Sequence, residues 1–246
     1  VTETKPMIVS FLLDETGSMA FPPGNREETI GGFNTYVETL ADSETADRTT
    51  LSVVKFNTSK TEKWLAHTPV KDAPKLTLET YVPGSQTPLI DAAFKLIMAT
   101  RAHVEGRDDK PNVVVVMLTD GAENASREHT MDQLNALIKE MSGQGWQFVF
   151  LGADIDAFGV AGQMGISRNT TATFDKGATP EVFAQMGAQT RSYGATGMSA
   201  NLHFSDRTRG VFMGVNPRDS GPKVTPPHQP APTKPRAKSL VDDIEL

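Results

Sequence analysis

Five oxygen-bearing side chains stand where a folded chain could gather them: Asp14, Thr16, Ser18, Thr87 and Asp120. They fall in three short segments. Asp14-Glu15-Thr16-Gly17-Ser18 follows an apolar run at residues 7–13. Gly84-Ser85-Gln86-Thr87-Pro88 precedes a stretch of helical period, and Asp120-Gly121 follows a second apolar run at residues 112–119. The candidate donors are hydroxyls and carboxylates, with no imidazole or thiolate close in sequence. Hard oxygen donors suit magnesium, manganese or calcium rather than zinc or copper. Three hydroxyls and two carboxylates bring little negative charge, so an ion held there stays a strong Lewis acid with room for another oxygen. Magnesium favours octahedral geometry and keeps waters, which suits such an incomplete cage.

The elements that must position these residues are legible as alternating apolar and periodic stretches. Residues 7–13, 51–56, 112–119 and 146–152 are apolar runs rich in β-branched side chains. Their continuous apolarity points to strands buried on both faces of a parallel sheet. Residues 63–69 follow 51–56 across a short polar turn and predict an antiparallel hairpin at a sheet edge, and residues 170–174 predict a weaker last strand. Between them, Ile30, Phe33, Val37 and Leu40 share one helical stripe, as do Ile90, Ala93 and Ile97. Met131, Leu134, Ile138 and Met141 form a third stripe, with Thr130 and Gln133 spaced as a capping box. Thr87 before Pro88 reads as an N-cap with proline at the first helical position. Residues 179–192 predict a closing helix. This alternation predicts a doubly wound α/β fold: a mostly parallel six-stranded sheet of order 3-2-1-4-5-6, with one antiparallel edge strand and helices on its flanks. In that order the first and fourth strands are neighbours at the switch point, where loops at the carboxyl edge build a ligand site.

Asp14-x-Thr16-x-Ser18, followed by Thr87 and then Asp120, resembles the metal-ion-dependent adhesion site of von Willebrand A domains. The usual first motif of that family is Asp-x-Ser-x-Ser; Thr16 keeps the hydroxyl and adds a methyl. The resemblance spans residues 6–195, including the Gly152-Ala153-Asp154 segment, and fits a small intracellular bacterial or phage member. It implies that Thr16, Ser18 and Thr87 supply hydroxyl oxygens to the ion, while Asp14 and Asp120 act mainly through bound waters. It implies Mg2+, with Mn2+ or Ca2+ as alternatives, and an acidic residue of a protein partner as the last ligand. A ring ATPase of the MoxR type (AAA+) or a second copy of the chain is the partner such relatives suggest. Glu15 and Glu123 flank the motif; either could tune the ion, and the plainer reading of both is solvated loop acids.

Catalytic readings fare worse. An aspartyl phosphotransferase needs a second acid two residues after its aspartate, where this chain has Thr16. There is no Gly-x-x-x-x-Gly-Lys-Ser/Thr loop and no Gly-x-Ser-x-Gly elbow, and Gly159, Gly162 and Gly165 are misspaced for a dinucleotide fingerprint. The expectation is a binding module and not an enzyme. The competing expectation is an assembly protein of a bacterial or phage particle that contacts neighbours through an arm and tail. Trp64 and Trp146 read as packing residues, the histidines show no ligand spacing, and the methionines read as core fillers.

Bulk properties set the remaining bounds. The chain has 246 residues, a net charge of −6 and no cysteine. Disulfides, thiolate metal sites and cysteine nucleophiles are therefore excluded. The acidic charge falls on the first 197 residues, which argues against nucleic acid as a partner. The N-terminus lacks the pattern of a signal peptide, and the apolar runs are too short to span a bilayer. The expectation is a soluble chain without a membrane partner, located in the cytoplasm, or in a virion or host cytoplasm if phage-encoded. Residues 1–197 predict the A-type domain and 198–216 a hairpin or arm. Seven of the 16 prolines fall between Pro217 and Pro235, so residues 217–246 predict an extended tail. The tail ends in Leu240-Val241-Asp242-Asp243-Ile244-Glu245-Leu246, which reads either as a docking peptide or as a solubilising end.

Overall fold

The computed structural model describes residues 5–213. The proline-rich tail and its terminal block lie outside them. The chain alternates strands and helices: β1 (Met7–Asp14), α1 (Asn25–Ala41), β2 (Thr49–Asn57), β3 (Lys60–Pro69), α2 (Leu89–Val104), β4 (Asn112–Thr119), α3 (Met131–Gly143), β5 (Gln147–Ala153), α4 (Ala157–Met164), β6 (Thr171–Phe174), α5 (Thr179–Thr196) and α6 (Asp206–Phe212). The six strands form one sheet of order β3-β2-β1-β4-β5-β6. β1 runs parallel to both β2 and β4, and β5 and β6 continue parallel. Only the β2–β3 pair is antiparallel, which puts β3 at the edge as a hairpin.

The central strand shows why its sequence is apolar without a break. Every residue of β1 is buried. Met7, Val9, Phe11 and Leu13 face one core with α1 and α5. Ile8 and Leu12 face the other, with α2, α3 and α4. β4 divides in the same way, Val114, Val116 and Leu118 on one side and Val113, Val115 and Met117 on the other. Such two-sided burial is the signature of a parallel sheet covered by helices. It also leaves the carboxyl ends of β1 and β4 as a pair of adjacent exits at the point where strand order reverses.

Some local expectations need correction. α2 begins at Leu89 and its cap position, Pro88, makes no side-chain cap bond, so Thr87 is not the N-cap. The glycine-rich stretch left unassigned by periodicity forms α4, capped by Asp156 and ended by Gly165 at φ 81°. Of the hairpin or arm expected over 198–216, the described residues, up to 213, make a 3-10 turn at Ser199–Leu202 and then α6. Leu202, Phe204 and Phe212 are buried in the α1–α5 core, so the packed unit continues past residue 197. The capping box at Thr130 and Gln133 is present. Trp146 is buried, and Trp64 packs against the α1–α5 core while part-buried.

The α1–α5 layer depends on a close approach. A Cβ placed at Gly32 in α1 would collide with the ring of Phe183 in α5, which itself stacks on Phe11 of β1 at 6.2 Å. Gly32→Ala should therefore lose about 1–3 kcal/mol through overpacking, even though alanine in a free helix gains about 1 kcal/mol over glycine. Urea unfolding at constant m-value reads the sign; a stabilised variant would show that the two helices separate without cost.

Candidate metal centre

The site is built where β1 and β4 end side by side. Asp14 closes β1 and is fully buried. Its Oδ1 accepts the Thr16 amide at 2.7 Å. Its Oδ2 accepts the hydroxyl of Thr119, the last residue of β4, at 2.5 Å. Burial pushes the Asp14 carboxyl up to about 6; the hydrogen bonds from Thr119 and Thr16 oppose this, and the charge of Asp120 adds to it. Beyond Asp14 the chain turns through a 3-10 segment, Gly17–Ala20, which presents Ser18 on an exposed rim. Thr16 Oγ1 and Ser18 Oγ lie 3.2 Å apart, and Ser18 donates to Asp120 Oδ1 at 2.5 Å.

Thr87 comes from a different loop but reaches the same place. A Cβ at Gly121 would lie 2.7 Å from Thr87 Oγ1. Only glycine after Asp120 lets that hydroxyl come so close. Asn124 holds Thr87 at both ends of its peptide unit: its Oδ1 accepts the Thr87 amide at 2.9 Å, and its own amide donates to the Thr87 carbonyl at 3.2 Å. The structure thus brings Asp14, Thr16, Ser18, Thr87 and Asp120 to one spot from three loops.

Two acids expected to be solvated are structural. Glu15 is fully buried. Its Oε1 accepts the Val82 amide at 2.7 Å, and its carboxylate lies 3.6 Å from Lys55 and 3.1 Å from Lys60. Together with the Gly84 amide on the Glu15 carbonyl at 2.9 Å and the Gly17 amide on the Ser85 carbonyl at 3.1 Å, this ties the first loop to the loop carrying Thr87. Glu123 takes the capping role assigned to Thr87. Its Oε2 accepts the Ile90 amide at 2.8 Å, and its Oε1 accepts the amides of Ala125 and Ser126 at 2.8 and 2.7 Å. Asp91 of α2 answers by accepting the amides of Arg127 and His129 at 2.7 and 2.8 Å. Burial alone would raise its carboxyl, but these backbone bonds outweigh burial and hold it below the usual range. The Thr87 and Asp120 loops are stitched in both directions.

Lys176, just past β6, is a further member that the sequence reading missed. Its ammonium lies 2.6 Å from Asp120 Oδ2. The contact is one of charge against charge, because Asp120 Oδ2 is buried and has no aligned hydrogen-bond donor. The only signal available was position, since Lys176 follows the carboxyl end of a strand.

The donor set fits a hard divalent cation. Among the described residues no three His, Cys, Asp or Glu side chains converge on a metal position, so carboxylates alone do not make a cage. What the loops bring together is the hydroxyls of Thr16 and Ser18, with Ser18 donating to Asp120, and the Thr87 hydroxyl against Gly121, oxygen chemistry that suits magnesium or manganese.

No family model matches the sequence, and no curated protein matches it. Solved structures do. The vWF domain of the type V pili tip protein Mfa5 from Porphyromonas gingivalis superposes with a TM-score of 0.55 at 10% identity, covering 78% of this chain and 97% of that one. The fold is of the von Willebrand A type. Proximal thread matrix protein 1 from the mussel byssus gives a TM-score of 0.54 at 18% identity over 73% of this chain and 46% of that one. The pilus adhesin SpaC from Lactobacillus rhamnosus GG gives 0.53 at 12% identity over 76% of this chain and 31% of that one. The chain thus spans less than half the length of the byssal and SpaC proteins. Among the described residues no helix is long and apolar enough to cross a membrane.

The stitching predicts an asymmetry that the motif alone would not. Glu123→Ala strands several backbone amides and should cost about 1–3 kcal/mol. Thr87→Val removes a hydroxyl that caps nothing and should cost well under that amount, about 0.5 kcal/mol or less. Chemical denaturation of the two variants checks the order; equal losses would mean that Thr87 carries the helix start after all.

Proposed function

We propose that this chain is a divalent-metal-dependent protein-binding module. The hydroxyls of Thr16, Ser18 and Thr87 would hold Mg2+ or Mn2+ directly, with Asp14 and Asp120 acting through waters, and an Asp or Glu of a partner would complete the ion's ligands. When bound, the ion supplies a concentrated positive charge that a carboxylate can meet. The protein's own part is to present that charge at an open rim on a rigid sheet edge. The observation that carries this reading is the linked set at the ends of β1 and β4, where the Thr16 and Ser18 hydroxyls meet, Ser18 donates to Asp120, and the Thr87 hydroxyl lies against Gly121. The pilus and byssal proteins that share the fold support a binding role. Thr16 stands where a phosphotransferase would need its second acid, which supports binding over catalysis.

Calorimetry with Mg2+, Mn2+ and Ca2+ tests the metal. One site is expected in the wild type, with at least a tenfold loss in Asp120→Ala, about 1.4 kcal/mol or more. The bound ion should also raise the melting temperature, because it binds the folded state alone. No heat with any of the three ions would overturn the reading. Affinity capture with and without chelator tests the partner: a protein released by chelator, whether a ring ATPase or a second copy of this chain, is the expected result. Partners retained equally by chelated protein and by Asp120→Ala would show that the ion is not the recognition device.

A further inference from the structure

Lys176 reaches across the top of the sheet from the 3-10 turn Lys176–Ala178. Its ammonium meets three oxygens: Asp120 Oδ2 at 2.6 Å, the Phe21 carbonyl at 2.7 Å and the Ser18 carbonyl at 3.1 Å. Its side chain is only 13% exposed. The base of this side chain is anchored as well. The Lys176 amide donates to Asp154 Oδ1 at 3.2 Å, and the neighbouring Asp175 amide donates to the Phe212 carbonyl at 3.0 Å. A tethered cation therefore sits in an oxygen cradle on the same aspartate that the metal reading requires.

We propose that Lys176 is a built-in competitor of the divalent ion and sets the affinity of the site. This rests on the metal-binding reading above. A dication drawn to Asp120 faces a unit positive charge only a few ångströms away. Either the ammonium stays and repels the ion, or it leaves its three oxygens for water. Both routes weaken metal binding, and without the ion the ammonium partners Asp120. A brace without electrostatic coupling would behave differently. Its removal would loosen the loops around Ser18 and Phe21 and weaken metal binding.

The two possibilities predict opposite signs. Lys176→Met keeps the aliphatic stem and removes the charge, Lys176→Gln is a second neutral variant, and Lys176→Arg keeps the charge. Titration calorimetry of the full chain with MnCl2 and MgCl2 should show the neutral variants binding about tenfold tighter than wild type, as expected for loss of a unit charge close to a dication. Lys176→Arg should stay within about threefold of wild type, because its charge is retained. In chelator the neutral variants should melt below wild type, and saturating ion should raise their melting temperature by more than it raises that of wild type. Neutral variants that fold and bind the ion equally or more weakly would overturn the competitor role while leaving the metal site standing. Absence of heat in wild type and all variants would overturn both.

Discussion

Two carboxylates, Asp14 and Asp120, are held in one hydrogen-bonded cluster at the switch point of the sheet, and the surrounding structure is arranged to tolerate them there. Taking a carboxylate out of water disfavours its charge, and a second carboxylate nearby disfavours it further. Asp14 shows both effects, with burial the larger. The Thr119 hydroxyl and the Thr16 hydroxyl and amide oppose these effects at Asp14, while Asp120 meets the Ser18 hydroxyl and the Lys176 ammonium. An acidic pair kept under such conditions is poised for a cation, and the open rim at Ser18 provides the approach.

A site built on loops keeps its geometry only if the loops cannot move independently. Here each loop is fastened to another by an acid that accepts backbone amides. Glu15 links the first loop to the one bearing Thr87, while Glu123 and Asp91 link that loop to the one following β4. Of these carboxylates Glu123 takes the Ile90 amide at the start of α2, where the amides of a first helical turn lack partners within the helix. The acidity of the chain is thus partly structural. The buried Glu15, with Lys55 and Lys60 beside it, is an ion network beneath the site rather than a solubilising surface.

Much of this was legible in the sequence because the signals were strong and local. The unbroken apolar runs of β1 and β4 are required by two-sided burial, and from them follow the parallel sheet and the position of its switch point. The spacing of Asp14, Thr16 and Ser18, with Gly121 after Asp120, marked the residues that the structure brings together. What was illegible depends on partners far along the chain. Glu123 has the appearance of any acid in a turn, since its partners are backbone amides that carry no side-chain identity. Thr87-Pro88 mimics a helix start, but the helix begins one residue later with its acceptor supplied by Glu123. Glycines dilute the periodicity of α4, and α6 is too short to show one. Lys176 could not be paired with Asp120 from the strand order, because β5 lies between β4 and β6 and the turn after β6 decides how far the lysine reaches.

We propose that these oxygen side chains form one divalent-ion site. Anomalous scattering from crystals soaked in manganese tests it most directly. A single strong peak is expected, bounded by Thr16 Oγ1, Ser18 Oγ and Thr87 Oγ1 and absent in Asp120→Ala crystals grown and soaked alike. A peak elsewhere on the molecule, or none at this sheet edge at saturating manganese, would contradict it.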